Sequence, residues 1–308
     1  VRIARVFPRR TSATPDDPLA FVGEPPLFLP EVDEVHVSCT FTWDRPEAEH
    51  LAKAWAAQGF RVRLGGPAYG SPAEDFTPGL YVQRGMTITS RGCIRRCPFC
   101  FVPTREGPLR LLDIRPGWDI LDNNLLACPR RHVEAVLDML EGQPKAARFT
   151  GGIDARLCEP WFARRLGQMR VQVLYTAYDQ AQQRPHVERT IKTLRDAGLT
   201  QRQVGCYVLV GFGDDTPALA EERLEWVFQT GGTPFAMYFR PPDERRLRIP
   251  PAWRRFVRKW TRPACIFASH EQPAGVEAEQ PATARAAAVP GLEFPKSTPV
   301  GTGVQEDT

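Results

Sequence analysis

The sequence predicts an α/β fold: an open, partial (β/α)6 barrel over residues 85–240, preceded by a small βαβ unit over residues 31–84. Three observations predict it. Short apolar, strand-like runs alternate with amphipathic helical stretches along most of the chain. In the larger region those runs end in polar or glycine-rich clusters. At about 26 residues per repeat, six repeats are too short for a closed eight-fold barrel, which typically takes about 250 residues.

Residues 1–30 contain six prolines and little periodicity, which predicts an extended N-terminal arm. Val35–Phe41 then reads as a strand and Pro46–Gln58 as a helix with Ala48, Leu51, Ala52 and Trp55 on one face. Phe60–Leu64 completes the βαβ unit and is stopped by Gly65-Gly66-Pro67. In the larger region, strands are expected at Met86–Thr89, Trp118–Leu121, Ala147–Thr150, Val171–Thr176, Gly205–Val210 and Phe235–Phe239. Helices are expected over Pro129–Glu141, from about Pro185 to Ala197 with Gly198 closing it, and after Asp215 or Thr216 with Pro217 in the first turn. Glu106–Trp118 reads as loop or hairpin. Residues 241–270 form a basic C-terminal extension with Trp253, Phe256 and Trp260 interleaved among arginines. Residues 271–308 hold five prolines and a single aromatic residue, too little apolar surface to offset ordering, and read as a disordered tail.

The chemistry centres on Cys93, Cys97 and Cys100, a C-x3-C-x2-C run just past the first strand of the larger region. Structural zinc takes four protein ligands, and no fourth cysteine or histidine lies nearby. Three thiolates suit a [4Fe-4S] cluster with one iron left for a ligand that is not protein. Parallel α/β folds bind ligands at the carboxyl ends of their strands. The clusters at those ends are Asp122-Asn123-Asn124, Thr150-Gly151-Gly152-Ile153-Asp154, Tyr178-Asp179 and Val210-Gly211. Plainer readings stand beside these: Gly151-Gly152 as a left-handed turn with Asp154 capping a helix, Tyr178 as a core tyrosine, and Cys128 as a buried structural thiol rather than a hydrogen donor. Cys39, Cys158, Cys206 and Cys265 show no metal spacing and read as core.

The C-x3-C-x2-C run, with the aromatic Phe99 before its last cysteine and polar residues ending each following strand, resembles the radical S-adenosylmethionine (SAM) family. The resemblance implies a [4Fe-4S] cluster on Cys93, Cys97 and Cys100, with SAM chelated to the open iron. It implies Phe99 beside the adenine, Asp122 and Asn123 near the methionine amino group, and Gly151, Gly152 and Asp154 along the cofactor. Tyr178 would face the ribose and Val210 would pack on the adenine. The family's common Gly-Gly-Glu is absent, and Asp122-Asn123-Asn124 is similar to the Asp-rich variant of the branch with a cobalamin-binding-like N-terminal region. That region is shortened here and lacks D-x-H-x-x-G, so bound cobalamin is not expected and a structural vestige is. The implied reaction is one-electron reduction of the cluster by a donor such as flavodoxin or ferredoxin. Reductive cleavage of SAM follows, and the 5′-deoxyadenosyl radical abstracts hydrogen from a substrate the sequence does not name.

Two other classes compete: a non-catalytic iron–sulfur or electron-transfer module, and a nucleic-acid-binding protein with a structural cluster. RNA could engage the basic stretch 245–262, although a basic amphipathic segment packed over the barrel explains it as well. The 308-residue chain is 42% hydrophobic and 25% charged with a net charge of +4, ordinary for a globular protein with a real core. No apolar run approaches membrane-spanning length and no signal-peptide pattern is evident, so no membrane association is expected. Unevenly placed cysteines argue against a disulfide framework and for a reducing cytoplasm.

Overall fold

Two parallel sheets carry the chain. The computed structural model describes residues 1–70, 76–241 and 249–271, and both sheets lie in one unit, Val1–Ser269. The first sheet comprises β1 (Ile3–Phe7), β2 (Ala20–Val22), β3 (Glu34–Ser38) and, after helix α1 (Arg45–Ala57), β4 (Val62–Gly65). Its order is β2-β1-β3-β4, with every pairing parallel. This corrects the expected N-terminal arm: β1 lies in the middle of the sheet, and the six prolines of residues 1–30 fall outside its strands. The apolar pattern of β1 is interrupted by Arg5, which is buried because it pairs with Asp17 and donates from Nε to the Leu80 carbonyl at 3.1 Å. α1 covers this sheet through Ala48, Leu51 and Trp55, all inaccessible to solvent.

The second sheet begins with β5 (Met86–Thr87). A hairpin follows, β6 (Ser90–Arg91) against β7 (Arg110–Leu111), enclosing the cysteine loop and the single-turn helix α2 (Val102–Arg105). The expected loop or hairpin over Glu106–Trp118 therefore contains β7. The repeats continue as β8 (Asp119–Ile120), α3 (Arg130–Glu141), β9 (Ala147–Ile153), α4 (Pro160–Gln168), β10 (Val171–Tyr178), α5 (Arg184–Asp196), β11 (Val204–Val210), α6 (Pro217–Gln229) and β12 (Thr233–Tyr238). The six strands β5, β8, β9, β10, β11 and β12 lie in sequential order, all parallel. The hydroxyl of Thr216 accepts from Leu219 N–H at 3.3 Å and caps α6, with Pro217 in the first turn.

α3 to α6 bury their apolar faces in one core with the strands: Val133 and Leu137, Phe162 and Leu166, Ile191 and Leu194, Leu224 and Val227. Each such side chain contributes about 1.5–3 kcal/mol on burial. α7 (Pro251–Trp260) joins that core through Trp253, Phe256 and Trp260, while Arg254, Arg255 and Arg258 face solvent. The aromatic residues of the basic stretch are therefore packing residues, unavailable to stack on bases. α8 (Pro263–Glu271) ends the described chain. Residues 245–248 of the basic stretch lie outside the described residues, and so does the expected disordered tail beyond Glu271. Among the described residues, no helix is long and apolar enough to cross a membrane.

Candidate functional site

The carboxyl ends of the large sheet converge on a cleft of about 160 Å³. Cys93, Cys97, Phe99 and Cys100 line it together with Asn123, Gly151, Gly152 and Asp154. Asn124, Arg156, Ala177, Asp179, Gln183 and Tyr207 also line it, with Ile153 and Ala155. Residues from β8 to β11 and their following loops are thus brought to the cysteine loop.

The loop is clamped from below. The buried carboxylate of Asp122 accepts three hydrogen bonds: from Thr89 N–H at 2.7 Å, the Thr89 hydroxyl at 2.7 Å and the Ser90 hydroxyl at 2.6 Å. Asn123 Oδ1 accepts from Gly92 N–H at 3.0 Å, and Asn124 Nδ2 lies 3.6 Å from Cys93 Sγ. Gly92, at φ +79°, runs so close to Pro108 that a Cβ there would sit 2.1 Å from its carbonyl oxygen. Asp122 is consequently a loop anchor, with no exposed surface to offer a ligand; this corrects its expected role. Burial pushes its carboxyl above the usual range and pushes His132, 3.2 Å from Thr89 Oγ1, below the usual imidazole value.

Asp154 also caps, accepting from Arg156 N–H at 3.1 Å, and it binds two guanidinium groups. Arg156 donates to it at 2.7 and 3.1 Å, and Arg95 of the cysteine loop at 2.9 Å. Although burial opposes ionisation, these donors hold its carboxyl below the usual range. Arg95 is thereby fixed beside the cleft-lining Asp154. The Arg156 guanidinium, lining the same cleft, partly offsets the effect of burial on the Cys97 thiol.

The two glycines divide their work. β9 runs through both of them rather than ending at them. A Cβ at Gly151 would meet the Asp122 carbonyl oxygen at 2.4 Å, so this glycine permits strand contact. Gly152 has φ +88°, yet the nearest atom to its Cβ position is 3.7 Å away, so its glycine serves backbone conformation and leaves the cleft open.

Tyr178 and Val210 are corrected more fundamentally. Tyr178 is buried with its ring 5.1 Å from Trp226 on the helix side, and Val210 is wholly enclosed in the same core. Side chains alternate along a strand, so the neighbours Ala177 and Asp179 reach the cleft instead. Asp179 accepts from Leu209 N–H at 3.3 Å, and burial raises its carboxyl to about 6. At the β11 end, half-exposed Phe212 packs edge-on against Phe99, centroids 5.7 Å apart. Phe212 follows a strand with a plain period-two pattern, but Arg156 carried no sequence signal that tied it to the loop.

Burial raises Cys97 and Cys100 above the usual thiol value. Such thiols are poor nucleophiles by themselves and suit ligands that a metal deprotonates. A single zinc at about 2.3 Å from each sulfur would draw three thiolates to roughly 3.8 Å apart. Among the described residues, only Asp122, Cys128 and His132 bring three potential ligand atoms within 4.8 Å of one another. Cys93, Cys97 and Cys100 are not such a group: their sulfurs do not all lie within that distance of one another. Asp122 and His132 are already engaged through Thr89, and burial pushes the Cys128 thiol up to about 11; that trio is a buried polar node partnered within the protein. Cys128 is the buried structural cysteine of the plainer reading. The Asn124 amide turns its Nδ2 toward Cys93 Sγ and Asp154, while its Oδ1 is buried without a hydrogen-bond partner. No family model matches the chain, and no curated protein matches it.

Proposed function

We propose that the chain is a radical SAM enzyme of cytoplasmic habit, with the large sheet an open partial (β/α)6 barrel. The observation that carries this reading is the meeting of Cys93, Cys97 and Cys100 with the polar ends of β8, β9 and β10 in one cleft. The sequential parallel strand order, without a reversal, supports the partial barrel. The donor set fits the cofactors: three thiols line one cleft with no fourth cysteine or histidine among its lining residues, and open space lies beside Gly152.

Cys93, Cys97 and Cys100 would hold a [4Fe-4S] cluster, leaving one iron for SAM. When bound, the pair supplies one-electron reductive cleavage of SAM to methionine and a 5′-deoxyadenosyl radical that removes hydrogen from an organic substrate. The chain's own part is orientation and exclusion of water. Asp122 and Asn123 fix the loop that carries the thiolates, and Arg95 and Arg156 attract a carboxylate. Phe99 and Phe212 form an apolar rim suited to adenine, and Asp179 is placed for a ribose hydroxyl. A flavodoxin- or ferredoxin-type protein would donate the electron. Cobalamin is no part of this reading: the small domain lacks D-x-H-x-x-G, its His36 bonds Glu34 and Tyr81 and its His50 bonds Glu24, and Gly66 packs so close to Cys39 that a Cβ would meet the Cys39 carbonyl oxygen at 2.7 Å. The test is anaerobic reconstitution, reduction and assay for 5′-deoxyadenosine. Four irons and SAM-dependent product are expected; stoichiometric zinc with no charge-transfer absorption overturns the reading.

A further inference from the structure

The small sheet reverses direction between β1 and β3, because β2 and β3 leave β1 on opposite sides. Open parallel sheets bind ligands outside the carboxyl ends of their strands, at or beside such a reversal. A cavity of about 330 Å³ lies at those carboxyl ends beside the reversal, against the loops that follow β3 and β4 with no lining residue from the loop after β1, and residues of the turn α2 after Cys100 close it. A second cavity of about 360 Å³ shares Thr40, Phe41 and Pro67 with it. The first cavity has the size of a small-molecule site.

Its lining has a consistent chemistry. Phe41 and Trp43 stack with centroids 4.7 Å apart and planes 12° from parallel, and Phe101 closes the other side. All three charged residues that line it are arginines: Arg45, Arg105 and Arg240. Arg240 lies over the Trp43 ring at 5.4 Å, and Arg105 donates to the Thr40 carbonyl at 3.3 Å, tying the cysteine-loop turn to the small domain. Each guanidinium has five donors, so both retain several for a ligand. Flat aromatic faces beside unopposed guanidinium groups select a planar anion, and a nucleotide has both parts: a base to stack and a phosphate for bidentate donors.

We infer that this cavity binds a nucleoside phosphate, held between Trp43 and Arg105 at the carboxyl edge of the small sheet. The site stands on residues other than the cysteine cleft and does not rest on the iron–sulfur reading. Its ligand would lie against the turn that follows Cys100, which makes it a candidate substrate or effector of whatever chemistry the cleft performs.

The test is calorimetric titration of the full chain with each of the four ribonucleoside 5′-monophosphates, with inorganic phosphate and the free nucleosides as controls. At least one nucleotide is expected to bind tenfold or more tightly than phosphate or its own nucleoside. Arg105→Ala and Trp43→Ala should each weaken it about tenfold or more, and Arg105→Lys should weaken it less than Arg105→Ala. Thermal unfolding is followed on the same samples, and Arg240→Ala, at an exposed position, supplies a variant whose folding is not at risk. It should weaken binding severalfold. Nucleotide binding no tighter than phosphate, or binding unchanged by Arg105→Ala and Arg240→Ala, overturns the inference. Iron content measured in parallel separates the two proposals, since Cys93→Ala should lose iron and keep nucleotide binding.

Discussion

Asp122 and Asp154 follow neighbouring strands of one sheet, yet their surroundings are opposite. Asp122 is sealed, has no cation partner, and satisfies itself with one amide and two hydroxyls of the segment leading into the cysteine loop. Asp154 borders the cleft and is gripped by Arg95 and Arg156. Neutral donors around a buried carboxylate fix a backbone without compensating its charge, so desolvation dominates and its protonated form is favoured. Guanidinium donors reverse that balance for Asp154 and leave two oriented positive groups beside the cysteines. One carboxylate builds the site and the other sets its field.

The sharpest way to break the comparison is to show that the loop Asp122 anchors carries no metal. Cys93→Ala, Cys97→Ala and Cys100→Ala should each abolish iron binding after anaerobic reconstitution. Cys206→Ala, at a fully buried position in β11, should retain about four irons per chain. Iron retained in any of the three loop variants would detach the anchor from its purpose.

Next in size is the anchor itself. Asp122→Ala leaves three buried donors without an acceptor, each costing about 1–3 kcal/mol, so urea unfolding should show a loss of at least about 3 kcal/mol. Asp154→Ala should cost less, because Arg95 and Arg156 are partly exposed and can turn to water. Their pH dependence should differ in sign. The lowered carboxyl of Asp154 stabilises the fold above its unfolded value near 4, and this is lost as pH falls through its folded value. The raised carboxyl of Asp122 contributes in the other direction, its stabilising protonated form being lost as pH rises above 4. Unfolding profiles of Asp122→Asn and Asp154→Asn that deviate from wild type in the same direction would refute this.

How far the sequence reveals these roles depends on which physical signal each residue carries. The strand–helix alternation is visible because the two periods differ, and it reaches the right strands to within a few residues. α4 also carries a signal, Phe162, Ala163 and Leu166 on one stripe behind Pro160, but the sequence reading assigned no element there. β1 escaped because a buried Arg5 breaks its apolar run, and only the fold supplies the Asp17 and Leu80 partners. Within the site, Cys93, Cys97, Phe99, Cys100, Asn123, Gly151, Gly152 and Asp154 were all legible as strand-end residues that meet. Tyr178 was not separable from Asp179, because a one-residue change of register exchanges the two faces of a strand. Asp122 carried the correct position and the wrong duty: its sequence context shows a strand end, not which way the carboxylate points.

Asp179 sharpens the comparison as a third case, a buried carboxylate in the cleft with one amide donor and its titration near 6. Raised above its unfolded value of about 4, it favours the fold while protonated, and that contribution disappears as pH rises toward 6. Asp179→Asn should therefore be more stable than wild type at pH 7.5, by about 1–3 kcal/mol, with the advantage vanishing near pH 4. An advantage independent of pH, measured by urea midpoints, would place the cause in packing instead.

The smallest expected change separates adjacent glycines. Gly151→Ala forces a methyl to within 2.4 Å of the Asp122 carbonyl oxygen, so β8 and β9 must part and the anchor moves with them. Gly152→Ala meets nothing closer than 3.7 Å and bears only the strain of φ +88°, about 1–2 kcal/mol. The larger stability loss should thus fall on Gly151→Ala, together with some loss of iron. Gly152→Ala should keep its iron, and Gly152→Val, with a larger side chain in the cleft, should lose SAM affinity while retaining the iron absorption spectrum. Thermal unfolding on the same samples removes the ambiguity of a weakened fold. Unchanged SAM cleavage in a well-folded Gly152→Val would mean that the open space beside this glycine lies away from the cofactor, and that the cleft's chemistry is centred on the Asp179 side.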